Sequence, residues 1–262
     1  MHLDVIELRK FYYTTGLGRI AQRAIRQTLR EMWSNVSGQT LVGFGFAAPF
    51  LRPFKDEAGR LLCLMPAQQG VCPWPAEGPN VATLVEETLW PLPTGYVDRL
   101  IVAHGLEACE RPQALLAEIW RVLAPGGKAI FIVPNRAGLW ARRDGTPFGY
   151  GRPYSVGQLE DALSSHNFGM DRREGALYLP PSHKRFWLRI APWLERMGQR
   201  LDMQRFGGIA IVEVTKLVYI APKSGAVAPV RAPLKVLEGF RPAPAPKPAT
   251  GRAVRLVDPS GE

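Results

Sequence analysis

"RPQALLAEIWRVLAPGGKAIFIVPN" (residues 111–135) is the stretch from which the fold can be worked out. Pro112 suits a first helical turn, where a missing amide hydrogen has no intrahelical partner to lose. Leu115, Leu116, Ile119, Trp120 and Leu123 then recur at helical spacing and form one buried stripe. Pro125, Gly126 and Gly127 stop the helix, since neither residue type continues one cheaply. "KAIFIVPN" (128–135) follows at once, apolar at consecutive positions, as a strand buried on both faces should be. A helix that feeds such a strand is half of a parallel crossover unit.

Working outward, "TLVGFG" (40–45), "RLLCLM" (60–65), "NVATLV" (80–85) and "VDRLIVAH" (97–104) read as four earlier strands. "SVGQLEDALSSHNF" (155–168) reads as a helix capped by Ser155. "GALYLP" (175–180) and "GGIAIVEVTKLVYIA" (207–221) read as two final strands, antiparallel neighbours at the sheet edge. Between them "RFWLRIAPWLERMGQRL" (185–201) is a basic, aromatic helical segment interrupted at Pro192, with Trp187 and Trp193 expected to pack in the core. At the start, "GRIAQRAIRQTLREMW" (18–33) places Ile20, Ala21, Ala24, Ile25, Thr28, Leu29, Met32 and Trp33 on one side and Arg19, Arg23, Arg26 and Arg30 on the other. That is an amphipathic helix with a solvated arginine face. Strands separated by helical crossovers predict an α/β architecture: a doubly wound, mostly parallel sheet with helices on both faces.

Composition narrows the function. Hydrophobic residues make up 46% of the 262 residues, enough for a core. The formal charge of +10 invites an anionic partner, nucleic acid or a membrane surface, but no recognition motif accompanies it. Cys63, Cys72 and Cys109 are odd in number and form no CxxC pair, so neither a disulfide framework nor a metal site is indicated. "MHLDVIELRK" (1–10) is acidic and amphipathic rather than a secretory signal. No apolar stretch approaches the roughly 20 residues that span a bilayer. A reduced, cytoplasmic protein is expected. From Lys223 onward the chain is rich in Pro, Ala and positive charge, so 223–262 reads as a flexible tail.

In an open α/β sheet ligands bind beyond the carboxyl ends of the strands, where strand order reverses. That rule selects 43–49, 65–70, 86–87, 103–107 and the loop opening at Asn135. "PNRAGLWARRDGTPFGYGRPY" (134–154) is long, glycine-punctuated, aromatic and basic, the makeup of a functional lid or of a loop packed on its own domain. Asn135, Trp140, Tyr150 and Arg152 are its candidate substrate contacts, with Phe148 and Tyr154 as further aromatics and Arg142 and Arg143 as further cations for an acidic substrate.

"WRVLAPGGKAIFIVPN" (120–135) resembles the segment before and through the fifth strand of class I S-adenosylmethionine-dependent methyltransferases of the type 11 subgroup, in which a helix ends "RVLKPGG". "LWPLPTGYVDRLIVAHGLEACERPQALLAEIWRVLAPGG" (89–127) resembles that subgroup's run "LPFPDGSFD…HVLEH…", and the match spans 40–135 in order and spacing. The N-terminal helix and the "GRPY" loop (151–154) resemble a bacterial branch. The resemblance implies a Rossmann-like sheet of seven strands with one antiparallel edge strand, S-adenosylmethionine as cofactor, and methyl transfer to an unidentified acceptor. It divides the chain into an N-terminal helical segment (1–36), a methyltransferase-like domain (37–222) with a lid loop at 135–154 and a helical insert at 184–200, and the tail.

Carried over by position, Gly43 and Gly45 match the turn at the methionine end of the cofactor, lined by Phe46 and Ala47. Met65 holds the place of the ribose-binding acid. Glu86, with Glu87 beside it, matches the acid on the adenine amino group. His104 ends the fourth strand beside the sulfonium or the acceptor and is the candidate catalytic residue. Glu107 is expected to cap or ion-pair the following helix. Two family carboxylates are absent, Gly43 and Met65 standing in their places. Losing both weakens cofactor binding roughly 10²–10⁴-fold unless Glu57, Glu86 or Glu87 compensates. Two alternatives stay open: a non-catalytic scaffold on the same fold, and an RNA-binding protein that uses the basic tail and helix 17–33.

Overall fold

Seven strands form one sheet in the computed structural model, which describes residues 3–142, 145–200 and 207–218. Arg143 and the tail from 223 lie outside the described residues. The strands are β1 (Thr40–Gly45), β2 (Arg60–Pro66), β3 (Ala82–Val85), β4 (Val97–Ala103), β5 (Leu123–Pro134), β6 (Phe168–Ala176) and β7 (Ile209–Lys216). They lie in the order β3-β2-β1-β4-β5-β7-β6. β3, β2, β1, β4 and β5 pair in parallel, and β7 is antiparallel to both β5 and β6. The single reversed strand therefore sits one place in from the edge, with β6 outside it.

Alternation along the strands divides the core. Val42 and Phe44, Leu100 and Val102, Phe131 and Val133 face one cluster, shared with Leu115, Leu116 and Ile119 of α4 (Pro112–Val122) and with Leu159 and Leu163 of α5 (Val156–Ser164). Leu41, Ile101, Ile130 and Ile132 face the other, covered by α1 (Val5–Thr14), α2 (Gly16–Met32) and part of α6 (Arg185–Arg200). One short helix, α3 (Ala48–Leu51), follows β1. β1 is buried at all six positions.

Helix starts follow local chemistry. Ser155 accepts from the Gln158 amide while the Gln158 side chain returns to the Ser155 amide, a capping box. Thr15 closes α1 and caps α2 through the Gly18 amide. The arginine face of α2 is only partly solvated: Arg26 donates to the Pro49 carbonyl at 2.6 Å, and Arg30 pairs with Glu57 at 2.7 Å.

Two expectations need correction. "GALYLP" is not a strand: β6 begins upstream at Phe168 and ends at Ala176. Leu177 turns away with a φ of 63°, and Glu195 of α6 accepts hydrogen bonds from the amides of Leu177 and Tyr178. The strand's outer residues, Asp171 to Glu174, are charged, which suits a solvent-facing edge and hides it from an apolar-pattern search. Trp193 is 55% exposed, so it lies outside the core.

Candidate functional site

Strand order reverses between β1 and β4, the crevice where a doubly wound sheet binds its ligand. β1 ends at Gly45 with a φ of 77°, and a Cβ there would overlap the Ala103 carbonyl, so glycine alone can make this turn. The Phe46 amide donates to that same carbonyl at 2.8 Å, tying the turn to the tip of β4. His104 follows the last residue of β4, and its φ of 52° places a non-glycine residue in the left-handed region. That conformation costs roughly 1–2 kcal/mol, and such strain concentrates at functional positions.

His104 is buried, and three elements hold it. The Tyr12 hydroxyl of α1 lies 2.6 Å from its Nε2. Its Nδ1 approaches Glu107 Oε1 to 3.3 Å. The Gln69 side-chain amide donates to its carbonyl at 3.0 Å. Burial, and after it the Glu107 carboxylate, pushes the Tyr12 phenol well above its ordinary range, so the hydroxyl keeps its proton. Around the pair the rings pile up: Tyr12 stacks on Phe46 at 5.9 Å and meets Phe50 edge-on at 5.5 Å, while His104 lies 4.8 Å from Phe148.

This pile occupies the crevice. A side chain at Gly43 would come within 2.7 Å of Ala47 and Leu51, so Leu51 fills the place of the missing carboxylate. Phe46, Ala47 and Met65 are buried in the core cluster with Tyr12 and Phe50. The Glu86 side chain is 52% exposed and lies 3.7 Å from Arg111. Glu87 is buried and accepts from the Cys109 thiol at 3.4 Å, a thiol pushed up to about 12 by burial and then by that carboxylate. Glu57 is occupied by Arg30 and the Val36 amide. In this arrangement the residues at the turn do not fit an adenosyl group. The structure brings Gly45, Phe46, Ala47 and His104 together, packs Met65 beneath them and directs Glu86 elsewhere.

The 135–154 loop divides in the same way. The Asn135 side chain donates to Gly207 and accepts from Ala137, bracing the loop, and is not free for a substrate. Trp140 is fully buried with its indole N–H on the Leu179 carbonyl at 2.7 Å, so it is core. Tyr150 is half-buried and lines two hollows, whereas Arg152 is exposed and contributes its backbone amide to the Glu107 carbonyl. Glu107 neither caps nor ion-pairs α4: the helix has no side-chain cap, and Glu107 points at His104 from a site 3% exposed.

Tyr12 is the site residue that sequence patterns missed; Gln69 and Glu107 fall within the selected stretches 65–70 and 103–107, but their place around His104 was not foreseen. Gln69 Oε1 and both carboxylate oxygens of Glu107 are buried without a hydrogen-bond partner among the described residues.

Residues 50–131 match the family model described as a methyltransferase domain. Over that stretch, about a third of the chain, the sequence resembles a methyltransferase domain. A protein described as a putative methyltransferase, solved in complex with the Haloferax volcanii Trm112 methyltransferase activator, is 16% identical; the match covers 81% of this chain and 98% of that one, with a TM-score of 0.58. A SAM-dependent methyltransferase from Thermotoga maritima gives 15% identity, 81% and 96% coverage and a TM-score of 0.56. The cyclase SpnF gives 18%, 76%, 82% and 0.51. At these identities the likeness establishes the methyltransferase fold. The comparison with curated proteins gave no match. Among the described residues no helix is long and apolar enough to cross a membrane.

Proposed function

We propose that this chain is a class I methyltransferase that catalyses S-adenosylmethionine-dependent methyl transfer, with α1 closing the cofactor crevice in the arrangement described. The observation that carries the reading is the meeting of the β1 and β4 tips at Gly45 and His104, at the reversal of strand order. The family match over 50–131 supports it. The ring that fills the gap beside His104 is Tyr12, and it comes from α1, outside the sheet, rather than from a strand. An element outside the sheet can withdraw at lower free energy than the sheet can open.

Calorimetric titration of the full chain with S-adenosylmethionine and S-adenosylhomocysteine tests this, beside Tyr12→Ala and Glu86→Ala. Saturable binding is expected, tighter in Tyr12→Ala because the closed form no longer competes with the ligand. Silence in both the parent and Tyr12→Ala at millimolar cofactor overturns the reading. A second reading, a scaffold that has lost the cofactor, draws on the missing carboxylates and on Leu51 and Phe46 filling their space. The cyclase likeness adds that the fold alone does not set the reaction. That reading predicts the silence.

A further inference from the structure

Glu107 is the most anomalous group among the described residues. Its carboxylate is 2% exposed, neither oxygen has a hydrogen bond, and no Lys or Arg lies within ion-pair distance among the described residues. His104 Nδ1 lies 3.3 Å from Glu107 Oε1 without hydrogen-bond alignment. Gln69 Oε1 is orphaned as well. These groups line one hollow of about 10 Å³ with Leu3, Pro147 and Tyr150. Buried acceptors are almost always satisfied, and one left bare is expensive, most of all when it is charged.

The hollow is held open by the chain's own stitching. The Arg152 amide donates to the Glu107 carbonyl at 2.8 Å, and Gly151, with a φ of 82°, lets the loop approach where a Cβ would lie 2.6 Å from that carbonyl. Its volume is that of one water-sized group. A water brings two donors and no charge. A primary ammonium brings three N–H donors and a full positive charge, which matches three bare acceptors, two of them on a carboxylate. Outside lies a second hollow of about 240 Å³ that shares Leu3, Pro147 and Tyr150 and adds Phe11, with Glu7, Lys10 and His183 as its ionisable lining, so the charge preference comes from the inner hollow and the outer one supplies apolar surface. An apolar cavity of ~150 Å³ already holds a benzene ring.

We propose that Gln69, His104 and Glu107 form a recognition site for a primary ammonium group, with the ligand's apolar body in the outer hollow against Phe11 and Tyr150. Ammonium recognition stands on these contacts alone. That the amine is the methyl acceptor rests on the function proposed above: the ammonium first gives a proton to water, and the free amine nitrogen then takes the methyl as the C–S bond breaks and S-adenosylhomocysteine leaves.

The test uses the full chain without cofactor. 2-Phenylethylamine is titrated by calorimetry beside 2-phenylethanol and 3-phenylpropanoate, into the parent, Glu107→Gln and Tyr150→Ala. The amine is expected to saturate, with the alcohol and the acid weaker by about tenfold or more. Glu107→Gln should lose about tenfold or more in amine affinity while still unfolding cooperatively. Tyr150→Ala, at the half-exposed wall, should weaken all three ligands together and keep the preference for the amine. Equal binding of amine and alcohol, an unchanged affinity in Glu107→Gln, or no saturation by the amine overturns the proposal and leaves the hollow a water site. Amine binding beside silence toward S-adenosylmethionine would mark failure of the methyltransferase reading alone.

Discussion

His104 stands between two spaces of opposite character. On its β1 side the crevice is filled: Tyr12, Phe46, Phe50 and Leu51 pack there with almost no exposure, and the Tyr12 hydroxyl finds the imidazole. On its other side Gln69 and Glu107 bound a hollow with three acceptors that have no hydrogen bond among the described residues. Apolar groups satisfy one another, so the filled side is complete without a ligand. Polar groups removed from water need partners, so the other side is complete only when something with donors enters. Both spaces were candidate ligand sites on topology, and chemistry separates them.

The strongest way to break the comparison is to empty the filled side. Tyr12→Ala deletes a fully buried ring and the partner of His104, so a loss of about 3–5 kcal/mol is expected from urea unfolding. A loss below about 1 kcal/mol would mean that the ring pile adds little to the fold and that the crevice is in effect an open cleft.

The sheet was legible because its strands are short apolar runs buried on both faces and because α4 runs straight into β5, whose opening carries the Pro-Gly-Gly that a helix cannot continue through. What misled was β6, whose Asp171, Arg172, Arg173 and Glu174 carry no apolar pattern because its outer side meets water. The site was less legible than the fold. Gly45 and His104 could be placed from strand ends alone. Tyr12 could not, because its role depends on α1 folding across the sheet 92 residues away from its partner. Asn135 and Trp140 misled for a related reason: a polar or aromatic residue just after a strand or in the loop beyond it can as easily brace the fold as meet a ligand, and only its hydrogen bonds tell which.

A second buried carboxylate sharpens the contrast. Glu195 of α6 is also buried, but both its oxygens accept backbone amides, from Leu177 and Tyr178. Burial pushes it up to about 7, the two amide bonds pulling the other way. Arg23 and Arg196 line the adjoining cavity, and neither forms an ion pair with it among the described residues. The folded pKa lies above the ordinary value of 4.5, so the native state holds the extra proton between about pH 4.5 and 7. Stability from this group is complete below about pH 4.5 and falls as pH rises to 7, by up to about 3 kcal/mol. Glu195→Gln should flatten that stretch of a stability-against-pH curve measured by urea unfolding. A slope unchanged in the variant would assign the pH dependence to other groups.

Glu107→Gln carries the smallest expected effect and the most pointed one. Glutamine keeps the shape, removes the charge and turns one bare acceptor into a donor that can face Gln69 Oε1. Without a ligand the substitution should therefore raise stability, by about 1–3 kcal/mol, the penalty attached to a buried group without partners. Mutations that improve a fold while removing its ligand are expected where a site holds strain for function. A loss of similar size would show that His104 carries a proton and already pairs with Glu107 across their 3.3 Å contact. The polar hollow would then be as complete as the aromatic one, and the difference between the two sides of His104 would vanish.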